Sequence, residues 1–464
     1  GRVAAQQAMR RTMRALALML CLALPLNTWA AINANNYPLS KQVDSDYTMY
    51  WKIDGNTFHL GIEASVSGAT GWVGFGISEA GGMPGADIVY YETSKPTDIT
   101  DAHALAYSAP VIDDCNDWTF VSGGVEAGKL FFEATRPLST GDGQDWELLD
   151  DSATRNGHQI IAAWGDTEAI GYHGPTKRKA DAVHFFKEPS DPLDAVKAIE
   201  GIQFADILHD DFDIPDDAIT TYEYWCIDMA EKMGLSGDTA VHILAIEPVI
   251  DADTAAHVHH FTVDGYAGTE SSETEFYSAG ESYRQLGSQC RRTQSGDGAK
   301  LYAWTPGNQA LVFPAGTGLR MLGGSFRSFM IDTHYDNPEL LSGLKDSSGI
   351  RVWFTTTLQA QDIGVMQIGD PKVALTDFAD GAFLTLPAGK SKYSFSCTRL
   401  TQGFAEGVDQ VTVFASMLHM HEYGQRQELR IKDANGRLKR RDQVQVYDFR
   451  QNGMIDPMSV GAGY

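Results

Sequence analysis

The sequence predicts an all-β chain made of antiparallel sandwiches, on three observations. Apolar residues alternate with polar ones in short runs. Gly- and Asp-rich stretches separate those runs, and after one connection the same pattern resumes to the end. With 464 residues and 43% hydrophobic side chains, there is material for two to four domains with real cores.

Taken in order, residues 1–31 hold MRRTMRALALMLCLALPLNTWAA (9–31): arginines, an apolar run and a small-residue exit, the pattern of a secretory signal. The run is short for a bilayer span, and nothing later is long and apolar enough to cross a membrane. Residues 36–186 read as one sandwich. FHLGIEASV (58–66) puts Leu60, Ile62, Ala64 and Val66 on one face, and KLFFEATR (129–136) does the same with Leu130, Phe132 and Ala134. Residues 187–220 carry three prolines, many acids and one short helical pattern, LDAVKAI (193–199), and read as an interdomain connection. Strand-like runs then return in HILAIEPVI, QALVFPAG, SFMIDTHYD, IRVWFTTTL, VTVFASMLHMH and QELRIKD, which read as one or two further all-β domains with a break near residues 361–372, the two being 221–362 and 363–464. No repeat or low-complexity segment interrupts them.

Charge narrows the function. The formal net charge is −25, and residues 1–31 contain four arginines and no acids, so the remainder stands at −29. That excludes a nucleic-acid or phosphate-binding surface, which needs clustered Lys and Arg. It suits a secreted protein or one of a secretory vesicle lumen. Beyond Cys21, the cysteines are Cys115, Cys226, Cys290 and Cys397, without a CxxC, which favours disulfides over a thiolate metal site.

Seven of the thirteen histidines lie between His242 and His421. In VTVFASMLHMHEYG (411–424), strand alternation places His419 and His421 on one face, roughly 7 Å apart at Cα and within reach of one ion. In AHVHHFTVDGY (256–266), alternation pairs His257 with His259 and sends His260 to the other face. A third element, THYDNP, adds His334 beside a turn. No HExxH occurs, so a zinc-protease reading fails. Imidazole clusters in an oxidising compartment suit copper or zinc, and an added methionine ligand would shift the choice to copper.

VHHF (258–261), LYAWTPGNQALVFPAGTGLRM (301–321), HYDNPELLSGLKDSSGIRVWFT (334–355) and FASMLHMHEYGQ (414–425), with TYEYWC (221–226) and HILAIEP (242–248), resemble the copper type II, ascorbate-dependent monooxygenases. The resemblance implies two copper-binding, jelly-roll-like sandwiches. His259, His260 and His334 would hold a first copper fed by ascorbate. His419 and His421 would hold a second, where O2 meets a small substrate. The adjacent pair conflicts with the alternation reading, since neighbouring histidines must then reach one ion. The family's second copper also takes a methionine from a later strand, so that site is expected to be incomplete in this sequence; Met454 and Met458 are not assigned to it. The resemblance further implies a Cys226–Cys290 bridge, and it leaves Tyr266 where a further family cysteine would stand. Cys397 matches a cysteine whose partner is expected beyond this sequence, and Cys115 is expected to be a free buried thiol.

GWVGFGISEAGGMPGADIVYYE (71–92), DITDAHA (98–104), ATRPLSTGDGQD (134–145) and IIAAWGDTEAIGYHG (160–174) resemble the DOMON domain. Some DOMON domains hold heme b between a methionine and a histidine, and Met83 and His173 fall in the matching stretches. Asp87 or Asp145 would suit a hard cation. The expected activity is hydroxylation of an activated C–H bond of a phenylethylamine-like substrate with O2 and ascorbate. The alternative is a heme-binding electron-transfer or metal-binding protein without hydroxylase activity.

Overall fold

The computed structural model describes residues 32–79, 81–151, 157–188, 190–266, 299–366, 368, 388–396, 411–420, 423–433 and 435–447, and the backbone of 275–278. Almost all its regular structure is strand. Among the described residues, no helix is long and apolar enough to cross a membrane; residues 1–31 lie outside them.

Eleven strands build the first sandwich. They are Leu39–Asp44 (β1), Tyr47–Asp54 (β2), Thr57–Ser65 (β3), Trp72–Ile77 (β4), Asp87–Glu92 (β5), Thr100–His103 (β6), Val111–Ile112 (β7), Thr119–Glu126 (β8), Lys129–Pro137 (β9), His158–Gly165 (β10) and Arg178–Val183 (β11). One sheet runs β1-β2-β3-β9-β8 and the other β11-β10-β4-β5-β6-β7. The alternation read from the sequence is what buries Leu60, Ile62 and Ala64 of β3 against Leu130, Phe132 and Ala134 of β9, all in one core with Trp51, Phe75 and Trp164. β4 and β5 do not alternate and are buried along their whole length. The reason is a second apolar layer, in which Met83, Ile161 and Ile170 pack over Ala86, Ile88, Tyr90, Ala102 and Ala104. The two sheets are tied by a buried ion pair. Arg136 Nη1 of β9 lies 2.7 Å from Asp87 Oδ2 of β5, and its Nη2 donates to Trp146 O at 2.7 Å.

After a short helix, Asp194–Lys197 (α1), the second sandwich begins. Its strands are Gln203–Leu208 (β12), Phe212–Asp213 (β13), Thr220–Asp228 (β14), Val241–Val249 (β15), Val258–Tyr266 (β16), Glu275–Ser278 (β17), Ala299–Trp304 (β18), Leu311–Val312 (β19), Thr317–Met321 (β20), Ser328–Asp336 (β21), Lys345–Asp346 (β22), Gly349–Thr355 (β23) and Gln361–Ile363 (β24). One sheet is β12-β23-β15-β20-β24 and the facing one β17-β14-β21-β16-β18. The stretch read as a connection therefore ends earlier than residue 220. β12 pairs with β23 from Gln203 opposite Phe354 to Leu208 opposite Gly349, burying Ala205 and Ile207 in the second core. Proline and acidic density masked a strand whose alternate side chains are apolar. Between β14 and β15, helix Met229–Met233 (α2) is capped by Asp228, whose carboxylate accepts from Ala230 N, and it ends at Gly234 in the left-handed region, φ 65°.

The last described strands, Gln427–Lys432 (β25) and Leu438–Val444 (β26), form a hairpin. The strand expected over 411–421 is not a ladder strand among the described residues, since 411–420 carry one bridge, at Ser416. Side chains hold this segment instead. Arg440 Nη1 donates to Val413 O at 2.9 Å, and Ser416 Oγ donates to Asp442 Oδ2 at 2.7 Å. Phe414 packs edge-on against Phe313 of the second core, with centroids 5.8 Å apart.

Candidate metal centre

β16 and β21 carry the strongest site. Their antiparallel register puts Val258 opposite Tyr335 and His260 opposite His334, so His259 is the extra residue of a β-bulge. A bulge sets two residues of one strand against one of its partner and breaks the alternation of side chains. His259 and His260 consequently turn to the same side as His334, and one nitrogen from each ring lies within 4.8 Å of the others. Ring centroids are 5.1 Å apart for His259–His260, 4.4 Å for His259–His334 and 4.9 Å for His260–His334.

This corrects the pairing that alternation alone predicts. His257 is outside the cluster: its Nδ1 bonds Asp336 O at 2.9 Å, and Asp336 N donates to His257 O at 2.8 Å, closing the strand end. His242 is also elsewhere, buried between Asp362 Oδ1 at 2.9 Å and the Gln359 amide at 2.8 Å.

The surroundings suit a metal. His259 Nδ1 and His260 Nδ1 approach to 2.9 Å, while Nδ1 of buried His334 has no hydrogen-bond partner. An unsatisfied buried nitrogen is costly unless something binds it. Imidazole nitrogens sit roughly 2.0–2.1 Å from an ion such as zinc, so three nitrogens this close need only small ring rotations to share one. Burial holds His260 well below the ordinary histidine range, reinforced by the like charge of His334, His259 and His419. A neutral ring presents the lone pair that a metal requires.

Two neighbours brace the cluster: Asp336, which with Tyr335 is a candidate partner from its place beside His334, and Tyr222, which the sequence does not single out. Tyr222 of β14, paired opposite His334, stacks on that ring at 4.3 Å and 12°. Asp336 places Oδ1 3.3 Å from His334 Nε2 and Oδ2 3.8 Å from His259 Nε2. Burial would raise Asp336, but these imidazoles outweigh it and hold the carboxyl below its usual value. Its position beside His334 in HYDNP was the available signal; the Tyr222 stack is visible only once the register of β14 and β21 is known.

Of the second pair, His419 is exposed and is close enough to act electrostatically on His260. His421 lies outside the described residues, as do Cys290, Cys397, Met454 and Met458. Cys226 is buried on β14, and Cys115 is free but exposed, not buried as expected, because it falls in the open turn after β7. In the first sandwich, half-buried Met83 belongs to the outer apolar layer, and His173 bonds its Nδ1 to Gly174 O at 2.7 Å. Asp87, Asp101 and Asp145 bring carboxylate oxygens within 4.8 Å of one another, an all-oxygen set that sequence reading reached only through Asp87 and Asp145. Burial pushes Asp87 up to about 6 despite Arg136, and it pushes Asp101 up to about 7, with Asp145 and Asp87 adding to the rise.

The profile of the DOMON domain matches residues 43–155, and that of the copper type II ascorbate-dependent monooxygenase N-terminal domain matches 205–342. The chain joins a DOMON domain to a copper type II ascorbate-dependent monooxygenase N-terminal domain. Among its relatives, DBH-like monooxygenase protein 1 of Gallus gallus is 25% identical over 430 residues, covering 86% of this chain and 64% of the relative. Dopamine beta-hydroxylase of Rattus norvegicus is 24% identical over 404 residues, covering 84% and 60%. The chain thus spans about three fifths of the length of these relatives. The cytochrome domain of Myriococcum thermophilum cellobiose dehydrogenase aligns with 32% of this chain and 81% of its own at 12% identity and a TM-score of 0.25, too slight a likeness to argue from. The copper monooxygenase domain contains all three clustered histidines, and the DOMON domain contains Asp87, Asp101 and Asp145.

Proposed function

We propose that this protein is a copper-dependent, ascorbate-fed monooxygenase that hydroxylates an activated C–H bond of a small, phenylethylamine-like substrate. The observation that carries the reading is the bulge that gathers His259, His260 and His334, with Nδ1 of His334 left without a partner, inside a domain matched by the copper monooxygenase family. In the net reaction, R–H and O2 with two electrons and two protons give R–OH and water, ascorbate being the electron source. Copper at the three histidines would supply one-electron exchange with the reductant.

The chain's own residues set the conditions for that exchange. Burial and like charge keep His260 deprotonated, Tyr222 stacks on the plane of His334, and Asp336 lies against Nε2 of both His334 and His259. An orienting partner of this kind, contacting a ligand but not the metal, typically matters 10–100-fold. His419 and His421 form the second copper pair in this reading, on the sequence resemblance. The nearness of His419 to His260 supports it. A secreted or vesicle-lumen location and a Cys226–Cys290 bridge belong to the same proposal. Heme b between Met83 and His173 is a separate expectation, tested by iron content and a Soret band that each of Met83→Ala and His173→Ala should remove.

The test of the main reading is ascorbate-dependent O2 consumption with a phenylethylamine. Turnover abolished in His334→Ala supports it. Copper binding without substrate-dependent O2 uptake, in a chain extended to the relatives' full length, would assign the protein to electron transfer or metal binding instead.

A further inference from the structure

The DOMON domain and the segment carrying His419 are joined by a short chain of hydrogen bonds. Glu79, at the end of β4, accepts from Gln445 N at 2.6 Å and from Val446 N at 3.4 Å through Oε2. Gly85 follows in the same loop with φ +76°, and it lies so close to Val446 that an added Cβ would stand 2.7 Å from the valine Cβ. The loop is itself anchored, since Trp146 Nε1 donates to Gly85 O at 2.8 Å and Ser78 Oγ donates to Gly82 O at 2.6 Å. The next residue after this clasp is Tyr447, which is buried. Its hydroxyl donates to Met420 O at 2.6 Å and accepts from Met420 N at 2.6 Å. Met420 is the residue between His419 and His421.

We propose that Glu79 and Tyr447 are positioning residues through which the DOMON domain holds the chain at His419 and Met420 in place. Met420 makes no ladder pairing among the described residues, so both of its backbone groups rely on one phenol. Met420 is half-buried, and backbone groups drawn away from water are costly to leave unpaired, so the phenol fixes the chain there. The phenol is fixed in turn by its backbone, with Tyr447 N donating to Gln425 O at 2.8 Å and the two preceding amides held by Glu79. The role of these residues toward copper rests on reading His419 and His421 as the second pair; the mechanical link does not.

The test is amide hydrogen exchange on the metal-free full chain, followed in peptides covering 411–420. Glu79→Ala and Tyr447→Phe are each expected to exchange there about tenfold faster than wild type. Glu79→Gln, which keeps an acceptor oxygen, should stay close to wild type, and peptides from β9 and β16 should be unchanged in all three. Wild-type exchange over 411–420 in Glu79→Ala overturns the proposal, and so does acceleration spread equally over β16. A second arm titrates Cu(II) in a His260→Ala background. Copper that His419→Ala abolishes should bind about tenfold more weakly in Tyr447→Phe. If no His419-dependent copper binds at all, the second-site reading fails, while the exchange arm still decides the link.

Discussion

His260 faces His334 across a ladder, and one surplus residue lets His259 join them. The histidine types and their rough neighbourhood were legible in HVHH and HYDNP; their grouping was not. Strand alternation is a rule for unbroken ladders, and nothing in the text of AHVHHF announces a bulge. Asp336 is the residue to probe. Asp336→Ala should weaken first-site copper by roughly 10–100-fold, read by equilibrium titration, with the fold intact. In the DOMON domain, Asp87 at about 6 and Asp101 at about 7 sit above the ordinary 3.8. A carboxyl whose folded pKa is raised binds more protons folded than unfolded, so its stabilisation is complete below about pH 4 and is lost as pH rises through about 7. Asp101→Asn removes that loss. Its melting temperature relative to wild type should therefore climb between pH 4 and pH 7.5, and an offset independent of pH would refute the assignment.

At the level of strands, the first sandwich was legible because β3 and β9 alternate cleanly. β4 and β5 were not, since a second apolar layer covers their outer face. β12 was hidden by the acids and prolines around it. Its pairing is tight: a Cβ on Gly349 would stand 2.1 Å from Ile207 O. Gly349→Ala should therefore destabilise the second sandwich by about 1–3 kcal/mol or more in chemical denaturation, while leaving the first transition in place. The reverse selectivity is expected of Arg136→Ala, which strands Asp87 and breaks the tie between the first two sheets. Removing one partner of a buried pair costs about 3–5 kcal/mol.

Across the whole molecule, domain order followed from the sequence because each sandwich carries its own punctuation and motif. The contact between the DOMON domain and the 445–447 segment did not, since it joins residues 366 and 367 positions apart through backbone amides that carry no sequence signature. The proposed copper chemistry rests on the three-histidine centre. The most direct measurement is the equilibrium copper content of the purified chain, compared across wild type, His257→Ala and His260→Ala. Tightly held copper that survives in His257→Ala and is lost from the first site in His260→Ala is the predicted result. Retention in His260→Ala with loss in His257→Ala would contradict the bulge and restore an alternating His257–His259 pair.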